Sequence, residues 1–413
     1  MKLAEHAGIH TGARSSRYRW VVLAIATFAQ ACACFFVQGI GSITVFLQRD
    51  LDLSTAQIGL LVTAAQIVPL AGLLVAGELL DRYPERWVVG GGSIIVAVGL
   101  LASSAAPGYE WLLVLLLLVG AGYSTAQPGG SKSVASWFSA SQRGFAMGIR
   151  QAGLPLGGAL AAAVLPWLAS SYGWRAPLLA SGVLALAGGV VFMAFYRSPR
   201  TAPPRVAHPS VRAQIAARLE VARAPAMVTI MLSGVSMTSV QYGLLLLTEL
   251  YLHTKAGMPA ARAALFLLLA LGFGVVGRIA LAAWSDRSSG RHVPVLTCMS
   301  CAVLGLVVLT CAPLGSGLVV GALMVWLGFF GFGWYGPWVA YVADTAPEGK
   351  SGFALGLAMA VNQIAVIVVA PGLGLLRDAT GSFVPCWIVL ASIATAALAA
   401  IGWRTATRPG SRP

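Results

Sequence analysis

"GELLDRYPER" (residues 77–86) and "AAWSDRSSGR" (residues 282–291) set the architecture of this chain. Each is a charged knot at the end of a long apolar run, and each carries Asp-Arg followed by a second Arg four residues on. They stand 205 residues apart, and other fragments return at nearly the same offset. "GFAMG" (144–148) reappears 208 residues later as "GFALG" (352–356), and Val37-Gln38 is echoed by Val240-Gln241. A chain that repeats both its charged ends and its apolar runs is built from two copies of one plan. Parallel repeats of this kind imply two bundles related by an axis along a membrane normal, with a central cavity between them.

The runs between the knots are long. Of the 413 residues, 58% are hydrophobic and only 10% charged, against about a quarter charged in ordinary soluble domains. Apolar stretches of roughly 20 residues joined by short polar links predict membrane-spanning helices. Twelve are expected, near 20–47, 57–79, 87–106, 111–137, 144–170, 176–196, 225–250, 263–284, 293–312, 317–343, 352–375 and 384–402. The runs do not alternate in polarity, which excludes a transmembrane β-barrel. The 48 glycines suit close helix packing in lipid. The fold class is therefore an all-α membrane protein of two pseudo-symmetric six-helix bundles.

The longest polar link, 196–225, is rich in Pro and Arg and separates six spans from six. It reads as a linker with at most a short surface helix. The expected order is an N-terminal tail (1–19), a first bundle (20–196), the linker (197–224), a second bundle (225–402) and a C-terminal tail (403–413). With both termini cytoplasmic, 19 of the 27 Lys and Arg fall on the inner side, as the positive-inside rule requires. The net charge of +14 thus belongs to topology rather than to nucleic-acid binding. The run after Trp20 is too long for a signal-peptide core and stays as the first span. A plasma-membrane, multi-pass monomer needs no further assumption.

All six cysteines lie in apolar runs and read as small buried hydrophobes. Cys298-x-x-Cys301 has no His or second pair nearby, so no metal site is expected. The five histidines fall in tails or loops, and no nucleophile–base constellation is present. An enzyme is not expected, and no cofactor is implied.

The D-R-x-x-x-R signature after spans 2 and 8, together with the six-plus-six layout, resembles the major facilitator superfamily over essentially the whole chain. The first copy keeps Gly77, Leu79, Asp81, Arg82 and Arg86 of that family's loop motif, with Pro84 and Glu85 as departures; the second has Ala282 for the leading Gly. The resemblance implies that Asp81, Arg82, Arg86, Asp286, Arg287 and Arg291 form a cytoplasmic gate, which Asp344 at the end of span 10 is placed to join. The matching position in span 4 is Ser136. The alternative is that these are solvated helix-end charges.

Three cations remain inside spans: Lys132, Arg150 and Arg278. Arg278 stands eight residues before Asp286, about 12 Å along a helix, which puts it near the middle of a hydrocarbon core about 30 Å thick. A charge at that depth costs a few kcal/mol or more. Gly274, Ala282 and Ser285 share its face, a small-residue stripe that turns it toward protein or cavity rather than lipid. The repeat offers a control, because the matching positions hold Leu73 for Arg278, Ala358 for Arg150 and Ala340 for Lys132. The fold does not itself require these cations.

Among the 13 acids, Glu249 alone lies within a span and away from the inner ends. An anionic substrate would supply the missing charge, and an arginine grips a carboxylate with two parallel hydrogen bonds. The placement of Arg278 also resembles the anion-binding arginine of oxalate, monocarboxylate and nitrate porters, although span 2 has no arginine and span 11 no lysine. "SKSVASWFSASQRGFAMGIRQAGLPLGG" (131–158) looks like the corresponding region of cyanate-transporter-like porters, with Arg150 as a second substrate cation. The displaced proline in Gly153-Leu154-Pro155-Leu156-Gly157-Gly158 departs from the pattern of drug antiporters. Lys132 is within reach of the cytoplasmic interface by snorkelling.

Gln38, Gln241, Tyr123, Gln127, Tyr335 and Asn362, with Tyr242, Trp334 and Gln363, are the uncharged residues expected along a cavity. Each has a helix-bridging alternative. The leading expectation is a secondary transporter of a small organic anion, coupled to protons with Glu249 as the coupling candidate. The alternatives are a drug or metabolite exporter and a non-transporting membrane sensor.

Overall fold

The computed structural model describes residues 2–199, 218–255, 257–311 and 316–406. Among them the chain is helical without strands, and twelve helical spans are long and apolar enough to cross a membrane. The linker stretch 200–217 and the tail beyond residue 406 lie outside the described residues; the described end of the linker, residues 218–223, is helical.

The first span is a long helix, α1 (Lys2–Gly39), followed by a 3-10 turn and α2 (Thr44–Leu51). It runs well beyond the apolar stretch, because polar residues continue a helix that hydropathy alone does not register. Helices α3 (Thr55–Arg82) and α4 (Glu85–Ser104) are the second and third spans. The fourth divides into α5 (Tyr109–Tyr123) and α6 (Ala126–Trp137), and α7 (Ala140–Tyr172) and α8 (Arg175–Phe195) complete the first six. The second six are α9 (Pro225–Thr254), α10 (Ala260–Ser285), α11 (His292–Cys311), α12 (Gly317–Leu327) with α13 (Tyr335–Thr345), α14 (Ser351–Thr380) and α15 (Val384–Ala406).

Both the fourth and the tenth spans are interrupted, where the apolar runs predict single helices. Pro128 has no N–H to give the carbonyl of Ser124, and Pro337 none for that of Gly333. The two prolines are 209 residues apart, so each copy is broken at the same place. In the fourth span Ser124 and Thr125 turn their hydroxyls onto the carbonyls of Gly120 and Gly122. In the tenth, the glycine-rich segment Gly328–Phe332 widens into a π turn before α13 begins. Single π turns concentrate at functional positions.

The contacts divide the chain into two units, 1–207 with 348–356, and 208–347 with 357–413. Within the first, a Cβ on Gly92 would collide with Thr125 and one on Gly72 with Ser124, so neighbouring helices press onto the break. Within the second, a Cβ on Gly277 would strike the Phe329 carbonyl, and Gly336 lies against the Arg278 carbonyl. Close backbone approach through small residues is how helices associate where lipid removes the hydrophobic drive. Cys32, Cys34, Cys298 and Cys386 are buried as expected, but Cys301 is half-buried and Cys311 exposed, since they face away from their helix neighbours.

Candidate functional site

Arg150 is fully buried in the first unit. Its guanidinium donates to the Ser131 hydroxyl (2.9 Å), to the carbonyls of Ala126 (3.0 Å) and Gln127 (2.9 Å), and to the Gln30 amide oxygen. It fills the notch left by Gly130, whose missing side chain would lie 2.6 Å from the guanidinium. Arg150 therefore clamps the first turn of α6, directly after the break, to α1. Tyr123 and Gln127 flank that break, the first buried and the second half-buried. Gln38 is exposed on α1.

Lys132 does not reach away from the protein. Its ammonium donates to the Asp81 carboxylate at 2.9 Å and to the Leu80 carbonyl at 2.6 Å, with Glu85 at 3.9 Å. The same carboxylate accepts the backbone N–H groups of Gly352 and Phe353, each at 2.8 Å. These belong to the first turn of α14, where unsatisfied N–H groups and the helix dipole favour an anion. Gly352 is required there, since a Cβ would stand 2.6 Å from both the Asp81 oxygen and the Gly77 carbonyl. The motif arginines are placed differently: Arg82 pairs with Glu78 one turn back at 2.7 Å, and Arg86 lies over the Trp87 ring.

In the second unit Arg291 bridges Asp286 and Asp344, both at 2.6 Å, and donates to Ser285 at 2.7 Å, whereas Arg287 is exposed. The two copies thus tie matched corners with opposite polarity. In the first, a base on α6 meets an acid at the end of α3; in the second, an acid on α13 meets a base beyond α10.

Arg278 is 3% exposed and far from either helix end. Its Nε donates to the Phe332 carbonyl at 3.1 Å, at the end of the π turn. The guanidinium carbon lies 5.6 Å from the centre of the Tyr335 ring, within cation–π range, and Tyr242 is in electrostatic reach. Trp334, Tyr335 and Trp338 form one aromatic group, with Tyr335 and Trp338 stacked at 5.4 Å. Trp334 donates its indole N–H to Gln241 at 3.0 Å, and Trp338 donates to the Ile230 carbonyl at 2.9 Å. Asn362 is 5% exposed, against Gly234 of α9. Arg278, Tyr335, Gln241 and Asn362, expected separately from sequence, are thereby linked through one set of rings. Glu249 is exposed toward the C-terminal end of α9, away from that set.

Sequence reasoning did not single out Lys132 as the partner of Asp81, Gln30 as a bridge to Arg150, or Thr238. Thr238 stands at helical spacing from Gly234, Gln241 and Tyr242, a pattern that marks one face of α9. Gln30 is the polar residue eight positions before Gln38. The Lys132 pairing has no such local signal. Among the described residues no group of three metal-ligating side chains is found.

A family model for the Major Facilitator Superfamily matches residues 26–371. The chain belongs to that superfamily. It is accordingly a multi-pass membrane transporter rather than an enzyme. An uncharacterised MFS-type transporter of Mycobacterium tuberculosis strain CDC 1551 / Oshkosh is 26% identical over 378 residues, covering 89% of this chain and 81% of the relative. The probable galactarate/D-glucarate transporter GudP of Bacillus subtilis strain 168 is 25% identical over 394 residues, covering 85% and 84%. In fold, the chain is similar to the structure of the proton:xylose symporter XylE bound to 6-bromo-6-deoxy-D-glucose, with a TM-score of 0.75 at 15% identity, covering 94% of this chain and 96% of that one.

Proposed function

We propose that this superfamily member is a secondary transporter for a small organic anion, taken up across the bacterial plasma membrane by alternating access and coupled to protons. The observation that carries the proposal is the position of Arg278. A guanidinium buried in mid-span, steered by the Phe332 carbonyl and faced by Tyr335, is a cation held where insertion is unfavourable. Its planar fork suits a carboxylate. Gln241 and Asn362, across the aromatic group, supply neutral contacts. The name of the galactarate/D-glucarate relative favours a dicarboxylate or acid sugar. Arg150 enters this reading as the residue that fixes the fourth span, not as a ligand. Asp81 with Lys132, and Asp286 with Arg291 and Asp344, are the proposed gate, and Arg82, Arg86 and Arg287 serve topology. Exposed Glu249 is one route for the coupling proton; the substrate's own carboxyl is the other.

Proteoliposome uptake of D-glucarate under an inward proton gradient tests this. Arg278→Gln should abolish uptake; uptake that persists unchanged removes Arg278 from the site. Collapse of the gradient without effect on uptake would remove the coupling.

A further inference from the structure

Asn362 and Thr238 are buried polar side chains, 5% and 4% exposed. Among the described residues, neither amide atom of Asn362 and not the hydroxyl of Thr238 has a hydrogen-bond partner. Folded chains bond the great majority of their buried polar atoms, so such a group calls for a physical reason. The surroundings do not quench it. Trp338, beside Asn362 at Gly234, has given its N–H to Ile230. Gly234 is the opening that admits the amide, since any Cβ there would collide with the Asn362 oxygen. Thr238 follows one turn later on the same face of α9.

The pair is connected to the cation. Trp338 stacks on Tyr335, and Tyr335 lies beneath Arg278. The Asn362 amide, beside Trp338 at Gly234, therefore stands two ring contacts from the guanidinium, and Thr238 is one turn from Gly234 on the same helix. An amide both donates and accepts, as does a hydroxyl; an ionised carboxylate only accepts. A carboxylate at this place would leave the Asn362 oxygen unanswered, whereas a substrate hydroxyl satisfies both sides.

We propose that Asn362 and Thr238 form a neutral subsite that reads a hydroxyl on the substrate, so that the transported class is hydroxylated carboxylic acids rather than bare ones. This rests on Arg278 as the carboxylate anchor. A site built to bond a hydroxyl rejects the analogue that lacks it, because its own polar groups are then left dry.

D-Glucarate and adipate share a carbon chain and both carboxylates and differ only in the hydroxyls. Calorimetric titration of the full chain in lipid nanodiscs with each should give a preference for glucarate of about tenfold or more. Thr238→Val and Asn362→Leu should each reduce that preference on the order of tenfold. Ligand-free Asn362→Leu should melt no lower than the parent, since no bond is lost. A ratio unmoved by both variants, or a lower melting temperature for Asn362→Leu, overturns the subsite and leaves these atoms to water or to structure. Should Asn362→Leu fail to fold, it too counts as structural, and Thr238→Val decides the hydroxyl. Equal binding of the two acids by the parent, lost in Arg278→Gln, sinks the subsite but keeps the anchor. Binding of neither acid sinks both.

Discussion

Arg150 and Arg278 are both arginines inside apolar spans, and their neighbours give them different tasks. Arg150 spends its donors on Gln30, Ser131 and two carbonyls of α6. Removing a charged donor from several buried acceptors costs about 1–3 kcal/mol for each group left unsatisfied. Arg150→Gln is expected to lose about 2–4 kcal/mol of stability, read as a fall in melting temperature, while glucarate affinity changes less than about threefold. Arg150→Lys should recover part of the loss, because a compact ammonium cannot match a planar fork. Loss of affinity without loss of stability would return Arg150 to the ligand set. Arg278→Lys tests the other role. It keeps the charge and removes bidentate geometry, so glucarate affinity should fall about tenfold, or 1.4 kcal/mol, with little change in melting temperature. The depth of both arginines along their spans was legible from the chain alone, by counting residues to the charged helix ends. Which carbonyls each arginine would meet was not, because those lie on helices distant in sequence.

Helix α10 meets the tenth span backbone to backbone at Gly277, with Gly333 and the Phe329 carbonyl opposite. A methyl group there has nowhere to go, since the obstructing atoms are main chain. Gly277→Ala should therefore cost about 1–3 kcal/mol through overpacking and displace the π turn that holds Arg278, reducing transport with it. Gly272, on the same helix, has nothing within 4 Å of a would-be Cβ. Gly272→Ala should be neutral or slightly stabilising, as alanine favours helix, and equal effects of the two variants would refute the packing argument. The corner joining α3 to α6 makes a similar test. A double-mutant cycle on Asp81→Asn and Lys132→Gln should return a coupling of about 0.5–3 kcal/mol in thermal stability; additive effects would mean that the 2.9 Å ion pair contributes nothing measurable. The apolar runs and their repeats were enough to place the twelve spans. Their interruptions were missed because Pro128 and Pro337 alter hydrogen bonding without altering hydropathy. The Lys132 partner was missed because pairing across 51 residues leaves no local trace.

For the molecule as a whole, the two copies differ most where charge is concerned. The apolar runs recur in the same order, yet Lys132 answers to Ala340 and Ser136 to Asp344. Charges that can be exchanged in this way are not needed to insert the helices, whereas the excess of Lys and Arg on one set of links is. Asp81 with Lys132, and Arg291 with its two acids, stand at the ends of spans that open onto those basic links. Orientation should follow from the same excess, because positively charged short links are retained on the cytoplasmic side. In a Cys311→Ser background, Ser289→Cys reports the basic link between α10 and α11, and Ala379→Cys reports the opposite end of α14; both positions are exposed. A membrane-impermeant maleimide added to intact cells should label Ala379→Cys and leave Ser289→Cys untouched until the membrane is permeabilised. The reverse pattern would place both termini outside. It would also turn the Asp81 and Asp286 clusters toward the exterior, where they could not act as the cytoplasmic gate proposed for them.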